Sequence, residues 1–255
     1  HVKDKFTDPA VVSVDEAGRF AIPLLSGHVG GANELALKVA AFTGGQAAIS
    51  TATDVNGLFA VDVWARERNM VITDRVLAKE VSAALLEGRS VGFASDFSHP
   101  CPAGLTGHPA EIGVWVTWKT GEGPFARTLR LAPKELILGI GCRKGTPRAA
   151  IEEAVSAALA GYEPAAVERV ATIDLKQNEP GLLAFCAAHD LPLSVYPAAE
   201  LAAVEGSFTP SDFVKGVTGV DNVCERAAVR AGGTILVPKQ AKNGVTVAVA
   251  GRNVL

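Results

Sequence analysis

The residues best suited to chemistry lie in a glycine-rich segment near the N-terminus, Leu24-Leu-Ser-Gly-His-Val-Gly-Gly-Ala-Asn-Glu34. A strand-like run leads into the glycines and a helical pattern follows. The predicted helix start therefore offers unpaired backbone N–H groups to an anion. His28 is the one side chain here whose ordinary pKa lies near neutrality, so it could act as a general base or acid. The alternative is a tight turn in which His28 bonds only a backbone carbonyl.

A second polar segment, Thr51-Ala-Thr-Asp-Val-Asn-Gly57, follows a predicted strand. In a parallel sheet the carboxyl ends of the strands form the usual ligand crevice. Asp54 could orient a histidine there, and Asn56 could bind a polar group of a ligand. Ordinary turn formation explains the same residue types equally well.

A third segment, Leu138-Gly-Ile-Gly-Cys-Arg-Lys-Gly-Thr-Pro147, reads as a strand, a glycine-rich loop and a helix. Its glycine spacing matches neither a dinucleotide-binding fingerprint nor a Walker A loop. Thr146 is predicted to be the N-cap, with Pro147 at the first helical position. What remains is an anion-binding loop with two cations, Arg143 and Lys144, suited to a carboxylate-rich or phosphorylated ligand. A solvated basic turn is the alternative, and Cys142 is expected to pack in that turn, since no adjacent base is visible.

Two later segments carry charge without a specific motif. Asp174, Lys176 and Glu179 crowd one loop after a predicted strand, an arrangement that can shift pKa values, although a solvated charged loop fits equally well. The segment Val217-Thr-Gly-Val-Asp-Asn-Val-Cys-Glu-Arg226 favours a structural helix start, with Arg226 kept as a candidate carboxylate binder.

No metal site is predicted. His99, Cys101 and His108 match no zinc-ligand spacing, and prolines and glycines interrupt the stretch.

The elements that must position these residues alternate between apolar strand-like runs and helical patterns. This rhythm predicts a multi-domain α/β fold of mainly parallel sheets flanked by helices, with a three-layer α/β/α C-terminal domain. Residues 96–133 are rich in proline and glycine and predict loops around one or two antiparallel strands. The predicted domains are residues 1–56, an N-terminal segment truncated at its start; 57–134, a middle domain; and 135–255.

Composition excludes several classes of protein. With 255 residues, 48% of them hydrophobic and 20% charged, the chain is globular rather than disordered. Its net charge of −3 argues against nucleic-acid binding, and no run approaches the ~18 apolar residues of a membrane span. Four cysteines without a C-x-x-C pair favour the cytoplasm. The first residue is His1 and the only methionine is Met70, so we expect a chain that begins inside a domain.

Taken together and in order, these motifs resemble the CbiG family. The resemblance covers nearly the whole chain, from about Lys3 to Val249, and the C-terminal half is also similar to stand-alone CobE-type proteins. The segments that carry it are Thr7-Asp-Pro-Ala-Val11, Leu24-Leu-Ser-Gly-His-Val-Gly-Gly-Ala-Asn-Glu-Leu35, Thr51-Ala-Thr-Asp-Val-Asn-Gly57, Leu138-Gly-Ile-Gly-Cys-Arg-Lys-Gly145, Ile173-Asp-Leu-Lys176 and Val217-Thr-Gly-Val-Asp-Asn-Val-Cys-Glu-Arg226.

The resemblance implies a cobalt-precorrin-5A hydrolase of cobalamin biosynthesis. Such an enzyme opens the δ-lactone of a cobalt tetrapyrrole and releases acetaldehyde, giving cobalt-precorrin-5B. The cobalt arrives in the substrate, so no cofactor or protein metal site is implied, and a homodimer is left open. The alternatives are a non-catalytic tetrapyrrole carrier and an unrelated hydrolase of another polycarboxylate.

Residue roles follow from the chemistry that this reaction needs. We expect His28 to act as base or acid, oriented by Asp54 or Glu34, with Asp174 and Lys176 as second choice. Backbone nests and cations would bind the substrate carboxylates. The candidate binding residues are Ser26, Gly27, Gly30, Gly31, Asn33, Asn56, Gly139, Gly141, Arg143, Lys144, Gly145, Thr146 and Arg226.

Replacing His28 by Ala should slow acetaldehyde release about 10²–10⁴-fold, the usual contribution of a general base, and leave folding intact. The helix dipole favours the neutral imidazole that a base requires. Turnover and substrate affinity of variant and parent would be compared. A fall in turnover of less than about threefold would remove His28 as the base and put Asp174 first.

Overall fold

The computed structural model describes residues 9–27, 30–49 and 58–253. His28, Asp54 and Asn56 therefore lie outside the described residues. The chain divides into two compact units, one of His1–Thr117 with Glu122–Leu131, the other of Trp118–Gly121 with Ala132–Leu255. The predicted boundary between residues 56 and 57 stays a prediction.

A small three-stranded sheet opens the first unit. Its middle strand pairs antiparallel with the strand before it and parallel with the strand after it. The helix packs Ala36 and Ala40 against Ala21, and it ends at Gly44 in the left-handed conformation, as the glycine pair predicted. The elements are β1 (Val11–Val14), β2 (Phe20–Leu25), α1 (Ala32–Thr43) and β3 (Gln46–Ala47).

A four-stranded sheet forms the rest of this unit, in the order β4-β7-β6-β5. Its elements are α2 (Val61–Glu67), β4 (Met70–Ile72), α3 (Arg75–Leu86), β5 (Val91–Ser95), β6 (Ile112–Val116) and β7 (Arg127–Pro133). Asp74 caps α3 through two backbone N–H groups. The prediction of antiparallel strands in residues 96–133 was wrong, because β5, β6 and β7 run parallel. Loops surround these strands, and loop composition does not fix strand direction.

The second unit is built on a five-stranded sheet in the order β10-β9-β8-β12-β11. The first three of these strands are parallel, and the hairpin β11–β12 joins β8 antiparallel. Its elements are β8 (Leu136–Cys142), α4 (Arg148–Ala158), β9 (Val167–Ile173), α5 (Pro180–Ala188), β10 (Leu193–Tyr196), α6 (Ala198–Ala202), α7 (Asp212–Thr218), α8 (Cys224–Arg230), β11 (Thr234–Lys242) and β12 (Val245–Gly251).

Helices cover both faces of the five-stranded sheet. On one face α8 packs against Ile137, Ala171 and Ala250. Side chains alternate along a strand, so the buried Leu138 and Ile140 point to the other face. There α4 and α5 pack against each other. The predicted α/β class with mainly parallel sheets is confirmed, and the antiparallel pairs are β1–β2, β8–β12 and β11–β12 among the strand pairs described.

Sequence patterns missed helices α2 and α6 and strand β7. The two helices have seven and five residues, too few to show a clear helical period. Strand β7 begins with alternating polar residues inside a proline-rich region, which hid it. None of the helices among the described residues is long and apolar enough to cross a membrane.

Replacing Gly139 by Ala should destabilise the second unit by about 1–3 kcal/mol. A Cβ atom at this position in β8 would overlap the backbone carbonyl oxygen of Cys224, which cannot move without shifting α8. The matched control is Gly216→Ala in α7, where a Cβ would meet nothing within 4 Å. Denaturant unfolding measures both variants, and equal stability would contradict the close approach.

Candidate functional site

Hydrogen bonds fix the loop after β8 at three of its residues. The Arg143 N–H donates to the Gly244 carbonyl over 3.1 Å, and the Thr146 hydroxyl donates to the Arg143 carbonyl over 2.8 Å. The Gly145 N–H donates to Glu179 Oε1 over 2.5 Å. The prediction that Thr146 caps the next helix was wrong, because its buried hydroxyl closes this turn instead. Pro147 is the N-cap of α4.

Glu179 fills the anion-binding position of this loop from inside the protein. Its side chain is 6% exposed, and Oε2 lies 3.3 Å from the Lys176 ammonium, itself only 18% exposed. Glu179 can approach the Gly145 N–H this closely because α5 begins directly after Glu179. A Cβ on Gly181 would overlap the Thr146 carbonyl, so the backbone of α5 packs directly against the backbone of the loop. The nest predicted for a ligand carboxylate therefore already holds one of the protein's own.

Two cations at this edge of the sheet are available to a ligand. Arg143 and Lys144 are both exposed, and within the described residues neither forms an ion pair. They follow the carboxyl end of β8, the usual position of ligand-binding side chains in an α/β sheet. The side chains of Arg143 and Lys144 are therefore the charged groups that this loop presents to an anion.

The other candidates near this loop have mainly structural contacts. Gly139 and Gly141 lie inside β8 rather than in the loop, and Gly139 admits α8. Asp174 Oδ1 accepts from the Leu175 N–H over 2.7 Å, in the turn that also carries Lys176. Burial raises the pKa of the Cys142 thiol, which supports packing rather than nucleophilic attack.

Arg226 ties two segments of the second unit together. Its Nε donates to Asp221 Oδ1 over 2.9 Å, and its Nη1 donates to the Val204 carbonyl over 2.7 Å. The guanidinium also lies 4.6 Å from the ring centroid of Phe208. Hydrogen bonding to Arg226 lowers the pKa of Asp221. These contacts favour the structural interpretation of Arg226, and a role in binding carboxylates stays a prediction.

A buried carboxylate that the sequence analysis did not single out lies beside Arg226. Glu225 is 2% exposed, and its oxygens accept from the Thr209 N–H, the Asn222 amide and the Lys239 N–H at 2.5–2.7 Å. Asn222 Oδ1 in turn accepts from the Glu225 N–H over 2.9 Å. The sequence signal that could have identified Glu225 is the spacing Asn222-x-x-Glu225, which is typical of a helix cap.

Ser26 and Gly27 follow β2, and their carbonyls are hydrogen-bonded to the start of α1. Ser26 is buried with φ +54°, and its carbonyl accepts from the Ala32 N–H over 3.1 Å. The Gly27 carbonyl accepts from the Asn33 N–H over 2.9 Å. Two N–H groups of the α1 start, which Gly31 precedes as N-cap, are thus already used and are not free for an anion. Among the described residues, the Ser26 hydroxyl has no hydrogen-bond partner.

Glu34 points to the surface. Its carboxylate lies 2.7 Å from the Lys38 ammonium, one turn along α1, and both side chains are more than 60% exposed. This hydrogen bond lowers the pKa of Glu34. The pairing accounts for Glu34 without a catalytic role, which stays a prediction, as does the role of Gly30.

The four-stranded sheet carries a polar cluster at the carboxyl ends of β5 and β6. Asp96 accepts from the Trp115 indole over 3.1 Å and from the Thr117 hydroxyl over 2.8 Å. His99 Nδ1 lies 3.3 Å from the Ser95 hydroxyl, and its ring lies edge-on to the rings of aromatic neighbours.

Over residues 9–27, 30–49 and 58–253, no three His, Cys, Asp or Glu side chains converge as metal ligands would.

Comparison with known families accounts for almost the whole chain. Three regions match in order: "Cobalamin synthesis G N-terminal" over residues 1–54, "Cobalamin biosynthesis central region" over 59–133, and "Cobalamin synthesis G C-terminus" over 136–250. These matches confirm the resemblance drawn from the motifs.

Individual relatives indicate the same family as these regions. The chain is 33% identical to the cobalt-precorrin-5A hydrolase of Salmonella typhimurium, over 96% of this chain and 75% of that protein. It is 31% identical to the enzyme of the same name from Priestia megaterium, over 98% of this chain and 73% of that protein. Protein CobE of a Sinorhizobium species is 34% identical over 46% of this chain and 79% of its own length. The chain belongs to the CbiG family of cobalamin biosynthesis proteins.

Proposed function

We propose that this chain is a cobalt-precorrin-5A hydrolase, which opens the δ-lactone of its substrate with water and releases acetaldehyde to give cobalt-precorrin-5B. The observation that carries the proposal is the order and coverage of the three family regions along one chain. The names of relatives that are more than 30% identical over nearly the whole chain support it.

The reaction requires an activated water and stabilisation of a developing oxyanion. We assign water activation to His28, with Asp54 or Glu34 orienting it, and keep Asp174 and Lys176 as second choice. Ser26 supports a site at this loop, because it is strained and buried and its hydroxyl has no hydrogen-bond partner within the described part of the chain, as is found in functional loops.

Substrate binding is the role we propose for the exposed cations of the second unit. A tetrapyrrole with acetate and propionate side chains presents several carboxylates, and arginine and lysine bind carboxylates through charge-assisted hydrogen bonds. We further propose that cobalt arrives chelated in the substrate, that the enzyme needs no resident cofactor, and that it works in the cytoplasm.

Incubation of the purified chain with cobalt-precorrin-5A tests the activity directly. Acetaldehyde, trapped and quantified, should appear in step with loss of the lactone. Binding of the tetrapyrrole without acetaldehyde would instead indicate a carrier, and the absence of both would refute the proposal.

Replacing Arg143 and Lys144 together by Ala should weaken tetrapyrrole binding about two- to thirty-fold at low salt, from ~0.2–1 kcal/mol for each exposed ion pair. The loss should shrink as ionic strength rises, because salt screens exposed charges. The matched control is Lys134→Ala with Lys215→Ala, which removes the same charge from exposed positions outside the loop. Equal affinities of parent and loop variant at low salt would contradict a binding role.

A further inference from the structure

The loop that presents Arg143 and Lys144 already uses three of its four backbone N–H groups, counted over residues 143–146. Its Gly145 N–H is engaged by Glu179, and its other bonded N–H groups, those of Arg143 and Thr146, donate to carbonyls. A substrate carboxylate could enter this nest only by displacing Glu179. That step would separate the buried Glu179 carboxylate from the partly buried Lys176 ammonium, which is costly where water is largely excluded.

Glu179 is instead placed to set the shape of the loop. It reaches across 34 positions of sequence to bond Gly145, the residue directly after the two cations. The Arg143 N–H is anchored on the other side to Gly244, in the turn between β11 and β12. The backbone of Arg143 and Lys144 therefore lies between two fixed points, and both residues are exposed.

We propose that Glu179 is a positioning residue for substrate binding, which holds Arg143 and Lys144 in the geometry that engages the carboxylates of the tetrapyrrole. The inference rests on the proposed function for the identity of the ligand. Glu179 itself does not touch the substrate. It acts as a built-in anion, which stabilises the glycine turn so that substrate carboxylates meet the cationic side chains rather than the backbone.

A double-mutant cycle tests this coupling on the full chain. The probe is cobyrinic acid, a cobalt corrin polycarboxylate, titrated at low salt and followed by its visible absorbance. Glu179→Ala should weaken binding by about as much as removal of Arg143 and Lys144, two- to thirty-fold. In the chain that lacks both cations, Glu179→Ala should change affinity by less than about twofold, because the effects are coupled.

Conservative variants separate loop geometry from charge. Glu179→Gln keeps an oxygen that can accept from the Gly145 N–H and leaves Lys176 unneutralised, so its affinity should equal or exceed that of the parent. Glu179→Asp keeps the charge but draws the carboxylate back by one methylene group, so its binding should weaken. Both variants keep a polar side chain at the buried position 179. They therefore still test whether Glu179 positions the loop if Glu179→Ala does not fold. Circular dichroism and thermal unfolding check each protein.

Three results would overturn the proposal: an effect of Glu179→Ala that is equally large without the two cations, no effect in the parent, or binding by Glu179→Gln as weak as that of Glu179→Ala. The charge control is Glu205→Gln, which removes one exposed carboxylate of the same unit. The cycle measures binding alone. If the chain binds cobyrinic acid with the expected coupling but releases no acetaldehyde, the proposed hydrolysis fails while the positioning role stands.

Discussion

The position of β8 constrains everything at the carboxyl edge of the second unit. This strand is hydrogen-bonded to β9 on one side and β12 on the other, and its residues Leu136–Ile140 are almost all buried. Gly139 lets α8 approach the strand closely. Because the strand cannot shift along its neighbours without exposing apolar side chains, the loop that follows it has a fixed origin.

Two buried carboxylates continue that constraint beyond the sheet. Glu179 joins the loop after β8 to the start of α5, and Glu225 joins α8 to Thr209 and Lys239. Each has several donors, as a charge removed from water requires. The exposed charges behave differently. Glu34 pairs directly with Lys38 at the surface, and such an exposed contact contributes little to stability. Glu179 and Glu225 thus hold segments together that are distant in sequence.

The exposed Arg143–Lys144 pair fits the proposed substrate. A chain with a net charge of −3 can still bind a polycarboxylate where a local pair of cations forms no ion pair with the acidic residues that the structure describes. Glu179 pairs with Lys176, and we propose that Arg143 and Lys144 engage the ligand. In the first unit, Ser26 has a strained backbone with φ +54°, two positions in sequence before His28, to which we assign the chemistry. Binding and chemistry are thereby assigned to loops that follow strand ends.

Local patterns determined much of this protein: the α/β class, the strand Leu193–Tyr196, the helix α1 with its glycine stop, and the exposed Arg143–Lys144 pair. Periodicity and turn chemistry encode such features over a few neighbouring residues. Only the tertiary structure decided the parallel direction of β6 and β7, the filling of the glycine nest by Glu179, and the contacts of Arg226 with carbonyls 22–25 positions away. Those features depend on which distant segments become neighbours, and short-range patterns carry no record of that choice.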